Sequence, residues 1–187
     1  KSNITTSLPL INSNKLIVAL YSDQGTDSDC VRATKNMFLW MDLNVKLVNA
    51  GDIITKGLDD FRIFCVPGGN MYRYAQTLST EGVKRIKSFI QRGGGYIGIC
   101  GGAYFASEKT IWEKNQLPMI SLGLFSGIAE GPLNTIIPWP NYQMCKINIV
   151  DSLHFITRSE PDFRWILYYG GPMFLPTTAK YIAVLGE

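Results

Sequence analysis

The sequence has few histidines and little net charge, two features that often indicate a class of function. It contains one histidine in 187 residues, and 18 Lys and Arg against 15 Asp and Glu give a formal charge of only +3. Without a block of basic residues, the composition does not indicate nucleic-acid binding, and we expect no nucleic-acid partner. No apolar run approaches the roughly 20 residues that span a bilayer, so we expect no transmembrane segment and a soluble chain.

The four cysteines do not have the spacing of a metal site or of a disulfide framework. They are Cys30, Cys65, Cys100 and Cys145. An even count in a chain of this length does not define a set of disulfides, so we expect reduced thiols and no metal ion or cofactor. Reduced thiols favour a cytoplasmic location.

The first residues, 1–14, are polar and rich in Ser, Thr and Asn, and the chain does not begin with Met. We expect a flexible segment there. Removal of a tag or of a secretory signal would each leave such a start, so export after signal-peptide removal stays open as the alternative location.

The rest of the chain, 15–187, predicts one well-buried α/β domain. Hydrophobic residues make up 46% of the sequence and charged residues 18%, and internal repeats and low-complexity tracts are absent. Strand and helix patterns alternate, which favours a parallel sheet. The predicted strands are 15–21, 45–49, 62–66, a short strand within the run 93–103, 144–150, 163–169 and 180–185.

The sequence predicts the ends of two of these helices. Asp27 or Ser28 can cap the first, whose apolar face is predicted to consist of Val31, Met37, Phe38 and Met41. Ser79 is a plausible N-cap of the second helix, and Gly93 is predicted to end it. The apolar stripe of that second helix contains Val83, Ile86, Phe89 and Ile90.

The run Gly93-Gly94-Gly95-Tyr96-Ile97-Gly98-Ile99-Cys100-Gly101-Gly102-Ala103 predicts a strand that leads into a glycine-lined turn and a helix. The segment Gly98 to Gly102 has the G-x-nucleophile-x-G form of a nucleophile elbow, with Cys100 at the reactive position. A helix N-terminus favours thiolate over thiol, so the position would activate the sulfur. Phosphate binding or close helix packing remains the alternative use of such a turn.

A second glycine loop is predicted at the same end of the sheet. Pro67-Gly68-Gly69-Asn70 follows a buried strand, and parallel strands place their carboxyl ends together. Backbone N–H groups from Gly69 and Gly101 could therefore converge to form an oxyanion hole, with Gly68 and Gly102 lining the same site.

These segments carry a resemblance. The PGG loop, the GGGYIGICGGAYF run and the segment Tyr21 to Thr26 leading to Cys30 resemble the class I glutamine amidotransferase-like superfamily, and within it the biotin-protein ligase N-terminal domain type. Later segments, 127–132 and 168–174, are similar to that family too. The resemblance implies a flavodoxin-like three-layer sandwich with a mostly parallel sheet and a strand–nucleophile elbow–helix unit. It does not imply biotin ligation, which would need a separate catalytic domain.

The resemblance also implies a catalytic histidine paired with a carboxylate after a late strand, and here the sequence departs from it. His154 is followed by Phe155 and Ile156 and lacks the expected His-x-Glu form. Either the chain is a fragment whose histidine lies beyond Glu187, or the triad is incomplete. His154 could still reach Cys100, although an ordinary surface or half-buried role is the more common one.

DJ-1-like relatives of this superfamily use an acidic side chain after the first strand, and Asp23 stands at about that place. Its alternative role is a turn aspartate that accepts from backbone N–H groups. Cys30, near a predicted helix start, reads as a small core residue.

Aromatic residues flank both glycine loops. They are Tyr72, Tyr74, Tyr104 and Phe105. They could wall a small pocket, although core packing is the default role. Trp139 between Pro138 and Pro140 could serve as a lid or a binding knob, or could pack half-buried in its loop.

The sequence thus predicts a cysteine-dependent, amidotransferase-like hydrolase that acts on an amide or related small substrate through a Cys100 thioester. The alternative is a noncatalytic module that keeps the same turn to bind a small ligand or a partner. The oligomeric state is left open.

Overall fold

The computed structural model describes residues 17–175 and the strand at 183–185. The predicted flexible segment 1–14, the first two residues of the first predicted strand, and residues 180–182 of the last lie outside the described residues.

Strands and helices alternate in the first part of the described chain, and strands predominate afterwards. In chain order the elements are β1 (Ile17–Tyr21), α1 (Ser28–Trp40), β2 (Asn44–Val48), α2 (Ala50–Lys56), β3 (Ile63–Val66), α3 (Met71–Gln91), β4 (Gly95–Gly98), α4 (Gly101–Ala106), β5 (Ser107–Trp112), β6 (Asn115–Gln116), β7 (Phe125–Gly131), β8 (Gln143–Ile149), β9 (Phe163–Tyr168), β10 (Met173–Phe174) and β11 (Ala183–Leu185).

The first four strands form a parallel sheet in the order β2-β1-β3-β4. Its two faces are buried separately, because alternate residues of β1 point to opposite sides. Val18 and Leu20 pack with α1, whereas Ala19 and Tyr21 belong to the larger core with α2, α3 and α4. Helices therefore cover both faces, which is the three-layer, flavodoxin-like arrangement that the sequence predicts.

The later strands form two further sheets. One has the order β10-β7-β5-β6, in which β5 and β7 are parallel, and the other has the order β11-β8-β9 and is antiparallel. The sequence correctly predicts the strands that become β8 and β9. However, they pair with each other in a separate sheet, because strands close in the chain can pair antiparallel across a single loop.

Two helix predictions need correction. In α1 the buried stripe is narrower than predicted, because Met37 and Met41 are about half exposed while Val31, Thr34 and Phe38 are buried. The second predicted helix is the later part of a longer element. The Asn70 side chain accepts from the backbone N–H of Arg73 and caps α3 at its start, and the backbone leaves the helical conformation at Ser79, where the sequence places an N-cap. Ser79 lies at a kink inside α3, with φ 56°.

Other local predictions are confirmed. The Asp27 side chain accepts from the backbone N–H groups of Asp29 and Cys30 and caps α1. Gly93 has φ 94°, and its N–H bonds to the carbonyl of Ile90, so it follows the end of α3 as expected. Within the described ranges, no helix combines the length and the apolar character needed to cross a membrane.

A candidate cysteine site at the edge of the parallel sheet

Three loops meet beyond the carboxyl ends of β1, β3 and β4. Asp27 donates its backbone N–H to the carbonyl of Gly68 at 3.1 Å, and Asn70 donates to the carbonyl of Gly25 at 2.8 Å. Thr26 and Gly69 form an isolated antiparallel bridge. The loop after β1 is thus fixed against the loop after β3, on the side where the turn after β4 carries Cys100.

Cys100 lies in the turn between β4 and α4 with a backbone conformation that is unusual for a side chain. Its φ is 50° and its ψ is −106°, and its carbonyl accepts from the N–H groups of Ala103 and Tyr104. Holding a residue with a Cβ in such a region costs on the order of 1–3 kcal/mol, and such strain is concentrated at functional sites.

The glycines of this region are needed because backbones touch there. A Cβ on Gly101 would lie 2.3 Å from the carbonyl oxygen of Gly69, and one on Gly102 would lie 2.1 Å from that of Val66. Side chains at either position would push α4 away from β3 and its loop. Gly101 therefore lies against Gly69 and Gly102 against Val66, and these contacts hold the Cys100 turn on the sheet.

Gly68 separates two cysteines. A Cβ on this glycine would lie 2.8 Å from Cys30 Sγ and 3.6 Å from Cys100 Cβ. The sequence predicts Cys30 as a small core residue, but the structure leaves it half-buried beside the candidate site.

The environment of Cys100 opposes part of the activation that the sequence suggests. Burial raises the pKa of its thiol above the ordinary value, and the backbone N–H groups of Gly101 and Gly69 act in the opposite direction by stabilising the thiolate. The thiol lies 3.9 Å from the carbonyl oxygen of Tyr169, a weak acceptor contact. The two amides predicted to form an oxyanion hole thus converge on the sulfur, but desolvation outweighs their effect on the pKa.

Cys30 is held more firmly in its thiol form. Burial, followed by the negative charge of Asp27, raises its pKa to about 11. A carboxylate beside a thiol disfavours a second negative charge, so Cys100 is the better candidate nucleophile of the pair.

Asp23 has the alternative role that the sequence allowed. Its Oδ1 accepts from the backbone N–H of Gln24 at 2.7 Å, and its Oδ2 accepts from that of Ala50 at 2.8 Å. Both carboxylate oxygens therefore satisfy backbone donors, one of them in the first turn of α2.

His154 is part of a turn in the connection between β8 and β9. Its Nδ1 accepts from the backbone N–H of Ile156 at 3.3 Å, its backbone N–H donates to Asp151, and its ring lies 4.6 Å from that of Phe155. These local contacts account for the residue, and none of the hydrogen bonds found in the described part of the chain joins it to Cys100. The structure thus groups Cys100 with Gly68, Gly69, Gly101 and Gly102, and places His154 and Asp23 in other bonding networks.

The aromatic residues next to the glycine loops belong mainly to the core. Tyr74, Tyr104 and Phe105 are fully buried, and only Tyr72 is partly exposed. Exposed aromatic side chains come instead from later in the chain, among them Trp139 and Tyr169. Trp139 stands out in the sequence because it lies between two prolines. The signal for Tyr169 is its place in the Tyr-Tyr-Gly-Gly-Pro segment.

In residues 17–175, no three His, Cys, Asp or Glu side chains come together in a way that could hold an ion.

Comparisons with known proteins agree with the architecture. The model of the family described as biotin-protein ligase, N terminal, matches residues 16–187. An uncharacterised protein of Chlamydia muridarum is 31% identical over 132 residues, which are 65% of this chain and 50% of that protein. A biotin–protein ligase of Schizosaccharomyces pombe is 27% identical over 122 residues, 62% of this chain and 19% of that protein. The chain thus spans half or less of each of these relatives.

Solved structures share the fold at low sequence identity. A ThuA-like protein from Bacteroides uniformis superposes with a TM-score of 0.56 at 11% identity, over 90% of this chain and 64% of that one. A glutamine amidotransferase from Thermotoga maritima gives a TM-score of 0.52 at 13% identity, over 90% and 66% of the two chains. With the family match over residues 16–187, these findings show that the chain belongs to the biotin-protein ligase N-terminal family and has a glutamine amidotransferase-like fold.

Proposed function

We propose that this domain is a cysteine-dependent hydrolase that acts on a small amide or related substrate through a thioester on Cys100. One observation carries the proposal: the backbones of Gly69 and Gly101 lie in contact next to Cys100, so that their N–H groups can stabilise negative charge at the sulfur. The strained turn that presents Cys100 at the end of a parallel strand adds support, since it brings a reactive side chain to the edge where ligands bind in such sheets.

The chemistry follows from these positions. The Cys100 thiolate attacks the carbonyl carbon, a C–S bond forms, and the carbonyl oxygen becomes an oxyanion. Because that oxygen develops on a carbon bonded to the sulfur, it lies within reach of the Gly69 and Gly101 amides, which are fixed in advance by the backbone contact between the two glycines. The C–N or C–O bond then breaks, the proton that the thiol gave up ends on the departing amine or alcohol, and the thioester remains. Attack of water on the thioester breaks the C–S bond and yields the acid and the free thiol.

An activated ester tests this proposal without knowledge of the natural substrate. The protein is mixed with p-nitrophenyl acetate, release of nitrophenol is followed, and intact mass with peptide mapping locates any acetyl group. We expect a burst of nitrophenol and acetylation at Cys100. Cys100→Ser should lose both, whereas Cys145→Ser, which removes a buried thiol elsewhere, should keep both.

Acetylation spread over all four cysteines, or a burst that survives in Cys100→Ser, would overturn the proposal. A screen of small amides, beginning with glutamine, follows a positive result.

A second candidate is a noncatalytic module that uses the same loops to bind a small ligand or a partner. The observation that favours it is the environment of Cys100, whose pKa is raised by burial, while the oxygens of Asp23 accept from backbone groups. On this alternative Cys100 stays free of acetyl groups, and Cys100→Ser leaves ligand binding unchanged.

A further inference from the structure

A group of exposed aromatic side chains lies on two later segments of the chain, and the backbone of one of these segments contacts Cys100. The rings of Trp139 and Tyr169 lie 4.9 Å apart at 34°, and the ring of Tyr142 lies 6.3 Å from that of Tyr169. We call these three residues the aromatic wall. Trp139, Tyr142 and Tyr169 are 37%, 68% and 50% exposed, so their rings present apolar surface to solvent.

The aromatic wall is connected directly to the candidate site. The carbonyl of Tyr169 is the acceptor that faces Cys100 Sγ at 3.9 Å. The next residue, Gly170, accepts from the hydroxyl of Tyr104, one turn after Cys100 in α4, and a Cβ on Gly170 would lie 2.5 Å from the ring of Trp139. Trp139 therefore packs on the backbone that adjoins the nucleophile.

The loop that carries Trp139 is held in place rather than loosely attached. Its start is tied to the end of β9, because the Tyr168 hydroxyl accepts from the N–H of Leu133 and donates to the carbonyl of Gly171. Within the loop, the backbone N–H of Trp139 donates to Asn134, and Trp112 packs edge-on against the indole at 5.4 Å. A ring fixed in this way loses little conformational freedom when it binds a ligand, which favours recognition.

We propose that the aromatic wall is the recognition surface of this site and selects substrates whose acyl or leaving group is planar and apolar, such as an aromatic amide or ester. The inference rests on the proposed function for its chemistry, since it names the substrate class of the Cys100 site. An aromatic group on the substrate would stack on the Trp139 or Tyr169 ring while its carbonyl carbon reaches Cys100.

Two alkylating reagents test the wall without any need for turnover. The rate of Cys100 labelling is measured with iodoacetamide and with N-benzyl iodoacetamide, and each rate is divided by the rate for glutathione. Stacking of one aromatic pair corresponds to an increase of roughly three- to tenfold. We therefore expect the benzyl reagent to be favoured by about this factor and to show saturation with concentration, whereas iodoacetamide stays linear.

Variants locate the effect. Tyr169→Leu removes a half-exposed ring but keeps the backbone carbonyl at Cys100, and Trp139→Ala removes the indole; each should reduce the preference for the benzyl reagent to that of glutathione. Trp40→Ala is the matched control, because Trp40 ends α1 and is 88% exposed. Thermal unfolding of each variant checks that it folds. If Trp139→Ala does not fold, the labelling rates of Tyr169→Leu alone test the proposal.

The outcomes separate this inference from the proposed function. An equal normalised rate for both reagents, or a preference that survives Tyr169→Leu, overturns the aromatic recognition. A benzyl preference that is lost in Tyr169→Leu upholds the recognition surface, even if p-nitrophenyl acetate fails to acetylate Cys100 and the hydrolase proposal falls.

Discussion

Cys100 has one property that favours reactivity of its thiol and one that opposes it. Its backbone has positive φ, which brings the side chain to the sheet edge, and burial raises the pKa of its thiol despite the nearby amides of Gly69 and Gly101. Once the thiol has lost its proton, the N–H groups of Gly69 and Gly101 stabilise the negative charge more strongly than water would, because they are already in place in a site with little water. The pH dependence of Cys100 is therefore informative.

We predict that alkylation of Cys100 keeps increasing with pH beyond the range where an ordinary thiol levels off. At pH values below the raised pKa of Cys100 the unreactive thiol form persists. The reactive thiolate appears only as the pH rises through that pKa, so the labelling profile shifts to higher pH. Iodoacetamide labelling from mildly acidic to alkaline pH, with peptide mapping, measures this. A plateau on the acidic side would show instead that the Gly69 and Gly101 amides dominate.

The neighbouring Cys30 gives an internal comparison. Its pKa of about 11, which burial and Asp27 produce, should keep it in the thiol form and slow to label at neutral and mildly alkaline pH. Replacement of Asp27 by Asn removes the charge and should shift the Cys30 profile to lower pH, while the Cys100 profile stays in place. A shift of Cys100 alone would contradict this assignment.

The strain at Cys100 predicts an unusual order of stability. With φ 50°, Cys100→Gly should be more stable than Cys100→Ala by about 1 kcal/mol, since glycine adopts this region without strain and loses only part of that gain through its greater freedom in the unfolded chain. Denaturant unfolding of the two variants measures the difference. Equal stability, or a more stable alanine variant, would show that the turn is relaxed.

At the scale of elements, the contact between α4 and β3 depends on the absence of a side chain at Gly102. We predict that Gly102→Ala destabilises the protein by about 1–3 kcal/mol, because its Cβ would lie 2.1 Å from the backbone carbonyl oxygen of Val66 and α4 must move. Gly171→Ala is the matched control, since a Cβ there meets nothing within 4 Å. Similar thermal unfolding of both variants would show that α4 adjusts freely.

Several elements could be predicted from local sequence and several could not. The Asp27 cap, the Gly93 helix end and the parallel strands β1 to β4 follow from short patterns that also hold in the structure. The role of Asp23 depends on the N-terminus of α2, 27 positions away, and the acceptor at Cys100 comes from Tyr169, 69 positions away. Sequence patterns of this kind contain little information about which distant segments meet.

At the scale of the whole molecule, the antiparallel sheet of β8, β9 and β11 differs from the parallel sheet in how it is covered. The parallel sheet has helices on both faces, whereas β9 is exposed along most of its length, with Trp165 at 58% and Leu167 at 61%. The connection before it adds Leu153, 89% exposed, and Phe155, 74% exposed. Large apolar side chains are thus exposed both on β9 and on the connection that precedes it.

This surface should bind an apolar dye while the protein is folded. We predict enhanced fluorescence of anilinonaphthalene sulfonate with the native protein, because exposed apolar side chains on a sheet offer it a dry contact. The double variant Trp165→Lys and Leu167→Lys should weaken the signal, while Trp40→Ala, which removes one isolated exposed ring on α1, should leave it unchanged. Because the double variant leaves Trp139, Tyr142 and Tyr169 of the aromatic wall in place, it should keep the preference for the benzyl reagent at Cys100. Loss of that preference together with the dye signal would mean that the apolar strand and the candidate site form one continuous surface, and that the substrate extends along β9 beyond the aromatic wall.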